Sequence, residues 1–112
     1  MKISIVIPVY NDPRVVSAIQ SVASQTHLDT ELVVVDGGSR DGTLEAIARH
    51  ADKVTTLISE PDRGIFDALN KGVRRATGDV IALLGADDRF SDSRVFEDVA
   101  RTLARSVLGA PR

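Results

Sequence analysis

The 112-residue sequence contains no cysteine, which excludes disulfides and cysteine-ligated metals at once. It also lacks a dominant charge. Fourteen Lys and Arg stand against sixteen Asp and Glu, for a formal net charge of −2. That balance gives no electrostatic reason to expect nucleic acid or an acidic membrane as a partner. The arginines are scattered, with Arg74 and Arg75 the one adjacent pair, and read as solvated helix faces. Long hydrophobic runs are missing too. The N-terminal run Ile3 to Ile7, closed by Pro8, is too short for the apolar region of a signal peptide and far too short to span a membrane. A cytoplasmic protein without a transmembrane segment is the expectation. No repeat, linker, dinucleotide glycine fingerprint or Gly-Lys-Ser phosphate loop occurs. His27 and His50 are isolated, without metal-ligand spacing.

What is present suits a single domain over residues 1–112 with a real core, since 43% of residues are hydrophobic. Short apolar runs alternate with helical patterns. The runs are Ile3 to Ile7, Leu32 to Val35, Val54 to Ile58 and Val80 to Leu84. Near-continuous apolar strands imply burial on both faces, hence a parallel sheet covered by helices. Between them, four stripes fall at helical spacing and read as core packing. They are Val15, Val16, Ile19, Val22 and Ala23; Leu44, Ile47 and Ala48; Ile65, Phe66, Leu69 and Val73; and Val95, Phe96, Val99, Ala100 and Leu103. Ser39 or Asp41 is available to cap the second helix, and Gly78 is expected to end the third. The pattern βαβαβαβα predicts an α/β fold: a three-layer, open, mainly parallel, doubly wound sheet of Rossmann-like type. Ligands bind such sheets at the carboxyl ends of the strands. The segments to inspect are therefore Pro8 to Asp12, Asp36 to Asp41, Ser59 to Gly64 and Gly85 to Asp88.

Asp87 and Asp88 follow the most apolar strand. Two adjacent carboxylates there repel each other, and a hard cation such as Mg²⁺ or Mn²⁺ would relieve the repulsion and bridge to phosphate oxygens. A plain Asp-rich surface turn is the alternative. Asp36-Gly37-Gly38-Ser39 offers backbone that a ligand can approach and a carboxylate able to accept hydrogen bonds from a base or ribose. A tight strand-to-helix turn is the alternative there. Tyr10, the only tyrosine, sits in Pro8-Val9-Tyr10-Asn11, where a base could stack on it; a half-buried aromatic at the sheet edge is the other reading.

Taken together, these stretches resemble the N-terminal half of the family 2 glycosyltransferases, which have the GT-A fold. The resemblance runs through Ile5 to Asn11, Glu31 to Ser39, Ser59 to Gly72 and Leu83 to Asp88, in the family's order and spacing. It implies a strand order of 3-2-1-4 and a nucleotide-diphospho-sugar donor. It further implies that Pro8, Val9, Tyr10, Asn11 and Asp36 hold the base, with Gly38 and Ser39 beside them. The segment from Asp62 to Asn70, with Arg63 within it, would line the donor site. Asp87 and Asp88 would belong to the metal motif, bound to the diphosphate through Mg²⁺ or Mn²⁺. The chain departs from the pattern at Gly37, often acidic in the family, and at Gly85, often Asn or Asp.

The implied reaction is displacement at the anomeric carbon, with leaving-group assistance by the metal. In the family the acceptor site and the catalytic base lie in a second half, which is expected to be absent here. The base is therefore left unassigned, Asp62 and Asp67 included. The acceptor, a polysaccharide or a lipid-linked glycan, is left open. A truncated GT-A domain is expected to self-associate or to pair with a partner subunit through its fourth strand. The rival readings are a nucleotide-sugar-binding module or split-enzyme subunit without turnover of its own, and a receiver-type regulatory domain. The latter wants an acidic pair where this chain has Pro8-Val9-Tyr10.

Overall fold

The computed structural model describes residues 1–27, 29–90 and 92–101. Four parallel strands form one sheet: β1 (Ile3–Val9), β2 (Thr30–Asp36), β3 (Thr56–Ser59) and β4 (Val80–Leu83), in the order β3-β2-β1-β4. The expected 3-2-1-4 order is the observed one. The order reverses beside β1, so β1 and β4 flank the switch point.

Alternation along β1 assigns the two faces. Ile3, Ile5, Ile7 and Val9 enter the larger core with Leu32 and Val34 of β2. Helix α1 (Val15–Ala23) covers that core with Val15, Ala18, Ile19 and Val22, and α2 (Thr43–Ala48) adds Ile47. A further helical segment, residues 95–101, seats Phe96 in the same core, edge-on to Phe90 with ring centroids 4.7 Å apart. The expected continuation of that helix through Leu103 lies outside the described residues. The opposite face carries Val6, Val33 and Val35 under α3 (Ile65–Arg75). Helices on both faces give the three layers.

The packing of α3 corrects the sequence reading. Ile65, Phe66 and Val73 are exposed, Phe66 by 80%, and the buried residues of the helix are Ala68 and Gly72. The helix sits so close to the sheet that only small residues fit beneath it. A Cβ on Gly72 would overlap Val6 Cγ1 and lie 3.2 Å from Val35 Cγ2. Leu69 still packs at the margin of this core.

Three boundaries differ as well. Pro8 does not end β1, which runs to Val9. The Val6 carbonyl accepts from Leu84 and the Val9 carbonyl from Gly37, so even-numbered residues of β1 turn their polar backbone toward β4. The missing N–H of Pro8 therefore falls just beyond Val6, the last β1 residue paired with β4, where the ladder between the two strands ends. β3 begins at Thr56 because a short 3-10 turn (Ala51–Lys53) takes up the Val54 N–H. Gly78 lies beyond the α3 cap residue Ala76, and close packing requires it: a Cβ there would meet Ser4 Oγ at 2.5 Å and the Lys2 carbonyl at 2.9 Å.

At the amino ends of the strands, Glu31 is 6% exposed. Its carboxylate accepts from Ser4 Oγ (2.6 Å), the Thr77 N–H (2.8 Å) and Thr77 Oγ1 (3.2 Å), while the Gly78 N–H donates to Ser4 Oγ at 2.8 Å. This network pins the α3–β4 turn to the sheet at the end remote from the candidate site. No helix among the described residues is long and apolar enough to cross a membrane.

Candidate functional site

A cleft of about 540 Å³ opens at the carboxyl ends of β1, β2 and β3. Its lining includes Pro8, Val9 and Tyr10 from β1 and its following loop, Gly37, Gly38 and Arg40 after β2, and Pro61, Asp62 and Ile65 around the start of α3. Apolar walls with a few polar groups suit a flat heteroaromatic ligand. Tyr10 is 59% exposed, so it is not the half-buried aromatic of the alternative reading.

The loop after β2 is built around Asp36, which is fully buried. Its carboxylate accepts from the N–H groups of Gly38 and Ser39 (3.1 Å each), from the Ser39 hydroxyl and from Ser59 Oγ (3.0 Å). Burial of a carboxylate is tolerated because donors surround it. Asn11, with φ 47°, clips this loop to β1: its N–H donates to Ser39 Oγ (2.8 Å), and its Oδ1 accepts from the Arg40 N–H (2.9 Å). Neither expected cap holds the N-cap position of α2, which is Gly42 at φ 95°; Asp41, one residue before it, accepts from the Thr43 N–H at 3.0 Å. Its carboxyl is held below the ordinary range chiefly by the hydrogen bond from the Thr43 hydroxyl.

The loop between β3 and α3 is tethered by Lys71, which the sequence reading gave no role. Its Nζ donates to the Pro61 carbonyl (3.1 Å) and pairs with Glu60 (3.2 Å) and Asp67 (3.6 Å). Asp67 also accepts from the Arg63 N–H at 2.9 Å, the main reason its carboxyl sits below the usual value. Asp67 is thus tied to the start of α3. Its spacing from Lys71, four residues on a helix, was the signal available in the sequence. Arg63 and Asn70 are exposed and do not line the cleft.

Asp87 and Asp88 lie in the turn after β4, closed by the Asp88 N–H on the Gly85 carbonyl at 3.0 Å. Neither lines the cleft. Their carboxylates converge above Gly85: a Cβ on that glycine would stand 3.0 Å from Asp87 Oδ1 and 3.1 Å from Asp88 Oδ2. Both residues are exposed. No group of three or more His, Asp or Glu side chains among the described residues could hold a metal alone. Two carboxylates without a third protein ligand fit Mg²⁺ or Mn²⁺ completed by phosphate and water, not a self-sufficient metal cage. Near them, Asp12 grips the Arg14 guanidinium with two 2.9 Å contacts. Arg14 is held in its charged form first by that bond and, more weakly, by the field of Asp87.

The profile described as Glycosyl transferase family 2 matches residues 4–109. The chain belongs to that family. It is 41% identical over 101 residues to a PGL/p-HBAD biosynthesis glycosyltransferase of Mycobacterium bovis, covering 87% of this chain and 40% of the relative. Among solved structures, it superposes on S. aureus TarS 1-349 with a TM-score of 0.85 at 25% identity, covering 96% of this chain and 33% of that one. It also superposes on the mannosyltransferase PcManGT of Pyrobaculum calidifontis, solved in complex with GDP-Man and Mn²⁺. There the TM-score is 0.75 at 30% identity, over 95% of this chain and 31% of that one. The fold is therefore of GT-A type. This family 2 chain spans well under half the length of these relatives.

Proposed function

We infer that this family 2 domain binds a nucleotide-diphospho-sugar together with a divalent cation, for transfer of the sugar to an acceptor hydroxyl. One observation carries the reading. The apolar cleft and the Asp87-Asp88 turn stand on opposite sides of the end of β1, so a nucleoside in the first would lead its diphosphate toward the second. PcManGT, whose structure holds GDP-Man and Mn²⁺ together, supports the same pairing of ligands.

In this reading Tyr10, Pro61 and Ile65 provide surface for the base, and Asn11 and Ser39 hold the loops that shape it. Asp87 and Asp88 would hold Mg²⁺ or Mn²⁺, which when bound supplies charge stabilisation to the leaving diphosphate. Arg14, gripped by Asp12, also sets a cation in the field of Asp87 before ligand arrives. The acceptor site and the base belong to residues outside these 112, a proposal consistent with the 40% span of the mycobacterial relative. Exposed Ile81 and Leu83 on the edge strand β4 support pairing of that edge with a second copy or a partner subunit. Light scattering should show association that Leu83→Lys abolishes; a monomer indifferent to the change would discard the idea.

Calorimetry with UDP, GDP and dTDP tests the main reading. Binding is expected in Mn²⁺ or Mg²⁺ and is expected to vanish with EDTA or in Asp88→Asn. Equal affinity with and without metal would remove the metal from the reading. No binding of any nucleotide would remove the donor site.

A further inference from the structure

A nucleoside presents N–H and O–H donors, and a site that discriminates among nucleosides needs an acceptor facing the cleft. Asp36 is poorly placed for this. It is fully buried, does not line the cleft, and already accepts four hydrogen bonds from the chain. Among the described lining residues, the one carboxylate is Asp62. Its Oδ1 accepts from the Gly64 N–H at 3.0 Å, which fixes the side chain. Its Oδ2 accepts from no group among the described residues and points across at Gly37. A Cβ on Gly37 would lie 2.7 Å from that oxygen, closer than atoms pack. Gly37 does not have positive φ, so what opposes a side chain there is the Asp62 carboxylate and not the backbone. The carbonyl of the preceding Pro61 is held by Lys71, so the acceptor arrives on an anchored loop.

The geometry points to Asp62, rather than Asp36, as the carboxylate that reads the nucleoside, with Gly37 as the gap that admits it. This rests on the donor-cleft reading above. A side chain at position 37 must push the Asp62 carboxylate from the place it holds, so the two positions contend for one volume. Asp36 is then a positioning residue that shapes the loop between them.

The test uses the chain with Mn²⁺ and UDP, GDP, dTDP or CDP, whichever binds. Asp62→Asn keeps the bond to Gly64 and replaces the free acceptor with an amide. Affinity should fall about tenfold or more, the loss of one charge-assisted hydrogen bond, while the melting temperature holds. Gly37→Asp alone should lower the melting temperature and the affinity. Gly37→Asp/Asp62→Ser should recover both, because the acid has moved across the same gap. Unchanged affinity in Asp62→Asn would overturn the reading role. A double variant no better than Gly37→Asp would overturn the exchange. If the unaltered chain binds none of the four nucleotides, the donor reading fails and the nucleoside role of Asp62 with it. The melting temperatures still decide whether residues 37 and 62 exclude each other.

Discussion

Gly72 of α3 rests directly on Val6 of β1, with no room for a single methyl group between helix and sheet. Two effects oppose each other in Gly72→Ala. Alanine gains about 0.8–1.0 kcal/mol of helix propensity. Forcing extra volume into a packed interior costs about 1–3 kcal/mol. Val6 is fully buried and flanked by Val33 and Val35, so it cannot move aside. Overpacking should win, and urea denaturation should show a net loss of up to about 2 kcal/mol. A stabilised Gly72→Ala would mean that α3 can lift off the sheet.

Asp36→Ala should be among the most damaging changes in the chain. It strands the N–H groups of Gly38 and Ser39 and two hydroxyls around an empty, buried position. Hydrogen bonds to a charged partner contribute about 1.5–3 kcal/mol each and are not additive, so a loss above about 3 kcal/mol is expected. Ser59→Ala removes one of the four donors and should cost less, about 1.5–3 kcal/mol. Thermal unfolding of the two variants checks the ranking. An Asp36→Ala protein as stable as its parent would show that the carboxylate's partners are satisfied elsewhere.

Glu31 makes stability depend on acid. Burial alone would raise its carboxyl, but the bonds from Ser4 and Thr77, helped by Lys2, outweigh burial and hold it below the ordinary value. A carboxyl lowered by folding contributes its full stabilisation above its unfolded pKa, about 4.3. That contribution is lost as pH falls through the lower, folded value. Denaturation midpoints of the native chain should therefore decline below about pH 4.3 more steeply than those of Glu31→Gln. Parallel curves would mean that Glu31 titrates alike in both states.

The sheet was legible because Ile3 to Ile7, but for Ser4, and Leu32 to Val35 are continuous apolar runs, a pattern that demands cover on both faces. The same rule directed attention to the strand ends where the cleft opens. The packing of α3 was not legible. Its apolar stripe is real, but the distance between helix and sheet is set by Ala68 and Gly72, and periodicity carries no information about distance. The division of labour between Asp36 and Asp62 was hidden for a related reason. Both follow strands and both are carboxylates; what separates them is the count of donors each already meets, and those donors come from residues as distant as Ser59.

Pro8 acts on its neighbour more than on itself. A residue with an N–H at position 8 would offer the Leu84 carbonyl one more rung, and β4 would zip further along β1. Proline withholds that rung, so β4 peels away after Leu83, and Leu84 keeps only its bond to the Val6 carbonyl. The peeled chain drops into the turn that presents Asp87 and Asp88. A missing hydrogen in one strand thus sets the length of the next, and with it the height at which two carboxylates stand.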